Sequence, residues 1–235
     1  MQHVALSLFR FDRLATRLWV ITQMALSRPA LGRLPGLSFY KLCGSGTGEG
    51  FTPRPDFSVW AILTTWDSEA QAREALSTAK VFRRWRAKAA ESWTVHLQPS
   101  SARGQWAGVA PFLPESGAST GPLAALTRAT LRPSRLLRFW ARVPDISLGV
   151  ARNKDVLFKI GIGEIPLLHQ VTFSIWPDAE RMNAFARTGA HAAAIRAVRD
   201  EGWFAEELYA RFRVTGSDGT WHERNPLAPT PEAAL

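Results

Sequence analysis

The chain has 235 residues, 46% of them hydrophobic, which is enough to fill a real core and excludes a disordered or fibrous polymer. No apolar run approaches the roughly 20 residues of a membrane-spanning helix, and the single cysteine, Cys43, excludes an internal disulfide and a cysteine-rich metal site. With 29 Lys+Arg against 20 Asp+Glu the net charge is +9. The cations are scattered, as in Arg83, Arg84, Arg86 and Arg132, Arg135, Arg138, and no nucleic-acid-binding signature accompanies them. Nucleic acid is therefore not the expected partner, and attraction to an anionic membrane surface fits the charge as well. The first residues alternate as a strand and do not form a signal peptide, so the expected location is cytoplasmic, with peripheral contact to the inner membrane as an option.

In chain order, Val4, Leu6 and Leu8 alternate with Ala5, Ser7 and Phe9 as a first strand, followed by an Arg-Leu-rich helix that reaches Leu18-Trp19. A second strand around Tyr40-Lys41-Leu42 runs into a glycine turn. A third ends on Trp66, where Ser68 and Gln71 form a capping-box pattern for a helix. The strand "SWTVHLQ" follows, and the unit closes near Trp106. The pattern then repeats. A strand begins near Ala124, a helix reaches Phe139-Trp140, and Phe158-Lys159-Ile160 takes the place of Tyr40-Lys41-Leu42. The next strand ends on Trp176, Pro177-Asp178 start a helix, and "LYARFRVT" leads to Trp221. Each unit reads β-α-β-β-α-β, the ferredoxin-like arrangement. The expected fold class is α+β: two tandem ferredoxin-like βαββαβ units facing each other as a single-chain dimeric α+β barrel. Residues 1–106 form the first unit, 107–122 the linker, 123–221 the second unit and 222–235 a disordered tail.

Alternation allocates faces. His169, Val171, Phe173 and Ile175 share one side of their strand, and Gln170, Thr172, Ser174 and Trp176 the other. Ala61 and Leu63 oppose Trp60, Ile62, Thr64 and Trp66 in the same way. Giving the purely apolar sides to the helices leaves Trp60, Trp66, Gln170, Thr172, Ser174 and Trp176 to line a pocket between the sheets. His169 fits this allocation badly. The run "GSGTGEG" has two prolines after it, in "FTPRPDF", so no helix starts there and it is no dinucleotide fingerprint. It reads as a flexible turn, or as a lid over the pocket. Cys43 beside it is expected in an exposed loop, a poor place for a thiolate ligand. His3 and His222 are expected in solvent and His96 at a surface or pocket edge. No histidine is spaced with Cys, Asp or Glu for zinc. His191 differs. It lies in "GAHAAAIRAVR" on a helix face shared with Ala194, Ile195 and Val198, beside small alanines that leave room for a flat group. Such a residue is either a satisfied core histidine or an axial haem ligand.

Taken together, "LSLFRFD", "GSGTGEGFTPRPDFSVWAIL", "RNKDVLFKIGIGEIPLLHQVTFSIWPD" and "HAAAIRAVRDEGWFAEELYARFRV" resemble the spheroidene monooxygenase (acyclic carotenoid 2-ketolase) family over nearly the whole chain. The resemblance implies a monooxygenase that oxidises an acyclic carotenoid at C-2, by hydroxylation and then ketone formation. It also implies haem iron, O₂ and an electron donor such as reduced ferredoxin. On that reading His191 is the axial haem ligand (the metal site), and Arg152, Lys154 and Lys159 are candidates to pair with haem propionates. The alternatives are a haem-free barrel oxygenase or isomerase acting on another small hydrophobic or terpenoid substrate, and a non-catalytic binder of haem or carotenoid.

Overall fold

The structure, a computed structural model, describes residues 1–115, 117, 121–141, 155–187 and 202–228. The first half supplies strands β1 (His3–Arg10), β2 (Leu37–Gly46), β3 (Pro55–Trp66) and β4 (Glu91–Gly104). The second supplies β5 (Leu123–Leu131), β6 (Phe158–Gly163), β7 (His169–Trp176) and β8 (Phe204–Gly219). They close one antiparallel barrel in the order β1-β3-β2-β6-β7-β5-β8-β4. The order is the same within each half: β1 lies between β3 and β4, and β5 between β7 and β8. This is the tandem dimeric α+β barrel expected from the repeat. Helices α1 (Leu14–Leu26), α2 (Arg28–Leu31), α3 (Glu69–Thr78) and α4 (Lys80–Lys88) cover the first half, and α5 (Ala179–Arg187) lies on the second. Residues 136–141 are also helical. Among the described residues no helix is long and apolar enough to cross a membrane.

Local chemistry sets the helix starts. Ser68 Oγ accepts the backbone N–H of Gln71 at 3.3 Å, and Asp178 Oδ1 accepts that of Arg181 at 2.8 Å. Each satisfies one of the orphan donors of a first turn.

Two seams join the halves. The longer pairs β4 with β8 over 11 residue pairs, from Trp93↔Gly219 to Gly104↔Leu208. Its register shifts beside Pro99, which has no N–H to give the ladder. The shorter pairs β2 with β6 at Gly44↔Gly163 and Ser45↔Ile162 alone. There the glycine run has a structural task. Gly161 donates its N–H to Glu49 O at 2.7 Å. Gly50 has φ +89°, and a Cβ on it would stand 1.7 Å from Gly161 O. The turn thus folds its tip onto β6, an approach open only to a residue without a side chain.

Trp106 and Trp221, the residues on which the two units close, both join the barrel's interior cluster. Each opens a turn whose next two amides bind a carboxylate of the other unit. Ala107 and Gly108 donate to Glu206, and His222 and Glu223 donate to Glu91. Of the tail expected at 222–235, residues 222–228 are fastened down, and 229–235 lie outside the described residues. Trp221 bonds Arg224 through the backbone, and Leu227 packs against the interior.

Candidate functional site

The interior of the barrel is filled. Val4, Leu6, Leu8, Leu63, Val95, Leu97, Val171, Phe173, Ile175 and Phe212 belong to one apolar cluster drawn from both halves. The expected faces are therefore reversed: the purely apolar strand sides point into the barrel and the mixed sides point out. Both faces are covered, the inner one by strands of both halves and the outer one by helices, so the alternation separates two buried sides without saying which lines the barrel. His169, awkward on the apolar side, points inward with Val171 and is half-buried.

As a consequence, Trp60, Trp66, Gln170, Thr172, Ser174 and Trp176 do not line a pocket between the sheets. Trp66 is a core residue in one cluster with Leu76, Phe82 and Trp85. Trp176 packs on Met182 and Phe185 and donates to Ser174 Oγ at 2.9 Å. Trp60 donates to Phe57 O at 2.9 Å. Of the six, Trp60 and Gln170 meet, on the outside of the short seam, in an open cleft of about 230 Å³. Its walls include Met24, Trp140 and Leu167, and its polar lining includes Glu164 and His169.

The two halves differ at positions of matching register. Leu42↔Ile62 in the first half corresponds to Gly161↔Thr172 in the second, and Phe9↔Trp60 corresponds to Ala129↔Gln170. In the first half these four large apolar side chains belong to the cluster closed by Val20, Leu76, Phe82 and Trp85 of the helices. In the second the outer face is a floor of Thr127, Ala129, Gln170, Thr172 and Ser174. At these four matching positions the second half carries the smaller or more polar side chains, Gly161, Thr172, Ala129 and Gln170. Lys159 stands at the edge of this floor opposite Ser174, its Nζ 3.2 Å from Glu49. His191, Arg152 and Lys154 lie outside the described residues. Among the described residues no group of three or more His, Cys, Asp or Glu is placed to hold a metal ion.

A buried charged cluster at the Trp106 end of the barrel escaped sequence reasoning. Glu164 accepts from Lys41 Nζ at 2.8 Å and from Trp106 Nε1 at 2.6 Å, and lies 3.4 Å from His169 Nδ1. Arg128, which is 1% exposed, pairs with Glu206 and faces the Trp106 ring. Burial pushes the Glu164 carboxyl up, but hydrogen bonds from Lys41 and Trp106 outweigh it and hold the group below the usual range. Burial lowers the pKa of His169 in spite of Glu164. Cys43 is not in an exposed loop. It is fully buried on β2 inside the barrel, and burial pushes its thiol up, which makes it a non-ligand and a non-nucleophile. The signal available in sequence was a charge at an inward strand position, as at Lys41 and His169.

His3 and His96, expected near solvent, are also buried. His3 Nε2 and His96 Nδ1 are 2.9 Å apart, and His96 Nε2 is 2.8 Å from Asp218 Oδ2. Burial, then the neighbouring His96, lowers the His3 pKa to about 4, with Glu69 opposing and Arg73 reinforcing the shift. Between about pH 6.5 and 4 the unfolded chain takes up a proton that the folded one refuses, so stability present above pH 6.5 is lost as pH falls. We expect about 3 kcal/mol of acid destabilisation from this group. Thermal melts at stepped pH check it: His3→Gln should flatten the pH dependence over that window.

The barrel's likeness to solved structures fixes the fold alone. Two aldoxime dehydratase crystal structures, one in complex with butyraldoxime, match with TM-scores of 0.62 and 0.63 at 12% and 9% identity. Each alignment covers 91% of this chain, and 81% and 79% of theirs. No protein-family model matches the chain. Curated relatives do. Spheroidene monooxygenase of Rhodobacter capsulatus is 58% identical over 228 residues, covering 95% of both chains. That of Cereibacter sphaeroides is 52% identical, covering 97% of this chain and 71% of its own. That of Rubrivivax gelatinosus is 37% identical, covering 89% and 81%. At these identities and coverages the chain belongs to the spheroidene monooxygenase family, and it is a monooxygenase.

Proposed function

We propose that the enzyme oxidises an acyclic carotenoid at C-2 of its end group. Two hydroxylations and loss of water give the ketone, with haem as cofactor and reduced ferredoxin as electron donor. The observation that carries the substrate class is the 58% identity to the Rhodobacter capsulatus spheroidene monooxygenase over 95% of the chain. Haem, when bound, supplies the activation of O₂. The residues present suit it. His191 would supply the imidazole that holds the haem iron. The floor around Thr172 has the small side chains a flat macrocycle needs. Lys159 at the edge of the floor, with Arg152 and Lys154 as further candidates, offers a cation for a propionate.

The chain's own contribution is position and dryness. A hydrocarbon end group gives no hydrogen-bonding handle, so shape must orient it. Trp60, Trp140 and Leu167 present apolar walls in the seam cleft, and Gln170 joins that cleft to the floor. A carotenoid resides in the bilayer, so the enzyme must meet the membrane to collect it.

The test is an absorption spectrum of protein produced with haem precursor supplied, before and after dithionite and CO. A Soret band that shifts on reduction, present in the wild type and missing in His191→Ala, supports the reading. A haem-free wild type overturns the cofactor and returns the haem-free oxygenase or isomerase. Bound pigment without turnover under O₂ and reductant makes the protein a binder.

A further inference from the structure

Leu14, Leu18, Ile21 and Ala25 recur at helical spacing on one face of α1, and all are exposed, Leu14 by 73% and Leu18 by 58%. The opposite face buries Val20 and Gln23. A surface helix ordinarily turns its polar residues outward, and α1 turns an aliphatic stripe outward instead. From Arg13 to Leu34 the chain carries Arg13, Arg17, Arg28 and Arg33 and no carboxylate. The equivalent segment of the second half repeats the design: Leu137 is 89% exposed among Arg132, Arg135 and Arg138, again without a carboxylate.

Both segments reach one cleft. Met24, three residues after Ile21, and Trp140, three residues after Leu137, line the seam cleft together with the exposed Phe57 and Leu167. We infer that this face, α1 and residues 132–140 on either side of the cleft mouth, docks on an anionic lipid bilayer. Aliphatic side chains flanked by arginines match the boundary between acyl chains and acidic headgroups. A second copy of the same face would set arginines against arginines. Passage of the substrate from the bilayer through the cleft rests on the proposed function; the docking surface does not.

Co-sedimentation with vesicles tests it, using phosphatidylcholine alone and phosphatidylcholine mixed with phosphatidylglycerol. The wild type should bind the anionic vesicles, release them in high salt, and bind the neutral ones weakly. Leu14→Glu/Leu18→Glu should cut anionic binding by about tenfold or more, and so should Leu137→Glu, whose exposed position leaves folding intact. Wild type that stays in the supernatant overturns the inference. So does equal binding by both variants, or an α1-dependent dimer in solution without vesicle binding. Turnover of a carotenoid delivered in detergent micelles separates the two readings. Variants that lose vesicles but keep micellar turnover support the surface. Vesicle binding by a wild type with no turnover sinks the enzymatic reading and leaves the surface standing.

Discussion

Thr172→Ile is expected to weaken binding of the proposed haem at least tenfold while leaving the fold intact. The substitution places on β7 the side chain that β3 carries at the matching position, Ile62, where it is fully buried beneath the first half's helices. Threonine and isoleucine share a branched Cβ, so the strand itself is undisturbed. What changes is the floor: an ethyl group rises where a hydroxyl stood. A melting temperature within a few degrees of wild type, with at least tenfold weaker haem binding by Soret titration, is the expected result. The mirror substitution should behave in the opposite way. Ile62→Thr removes apolar volume from a closed cluster and buries a hydroxyl there, costing about 2–4 kcal/mol with ligand uptake unaffected. If Thr172→Ile binds haem as the wild type does, the second-half floor is not the ligand's seat.

Glu164→Ala should be the most destabilising single change at the Trp106 end of the barrel. Glu164 is the acceptor for both Lys41 Nζ and Trp106 Nε1. Removing it leaves an ammonium that is largely out of water with no carboxylate, and breaking a buried pair from one side costs about 3–5 kcal/mol. In a domain of this size that corresponds to a fall of roughly 10 °C in Tm. Glu164→Gln keeps an acceptor for the indole and should lose less. The combination Lys41→Met/Glu164→Gln should recover much of the loss, since the uncompensated charge goes with it. Chemical denaturation of wild type, Lys41→Met, Glu164→Gln and Lys41→Met/Glu164→Gln as a double-mutant cycle gives the coupling directly. A single Glu164→Ala variant as stable as wild type would mean that Lys41 has found water.

These expectations mark where sequence and structure part. The tandem units were legible because a repeat needs no knowledge of what packs on what: Trp66 and Trp176 end matching strands, Ser68 and Asp178 start matching helices, and Trp106 and Trp221 close the halves. The faces were not legible. Both sides of these strands are buried, so alternation distinguishes two interiors without saying which is the barrel. His169 held the clue, since an inward histidine needs an inward carboxylate, but Glu164 comes from a turn and Lys41 from the other half of the chain. The pairing of His3 with His96 was hidden for the same reason, as 93 residues separate them. His191 was legible from its small-residue helix face, and the family resemblance chose its role as haem ligand and supplied Arg152 and Lys154; all three lie outside the described residues. It was silent on the contrast between Thr172 and Ile62, which only the register brings out.

The inequality of the two seams gives the molecule a weak side. Eleven paired residues along β4 and β8 act as a spine, and two along β2 and β6 act as a clasp. Transient opening follows the line of least cohesion, so the place to expect it is the short seam, where the glycine tip rests on β6 and the cleft lies. Cys43 sits one residue from that clasp, sealed inside and held as an unreactive thiol. The protein thus carries its own strain gauge. A thiol reagent can label it only while the clasp is undone, and the labelling rate in native buffer counts how often that happens.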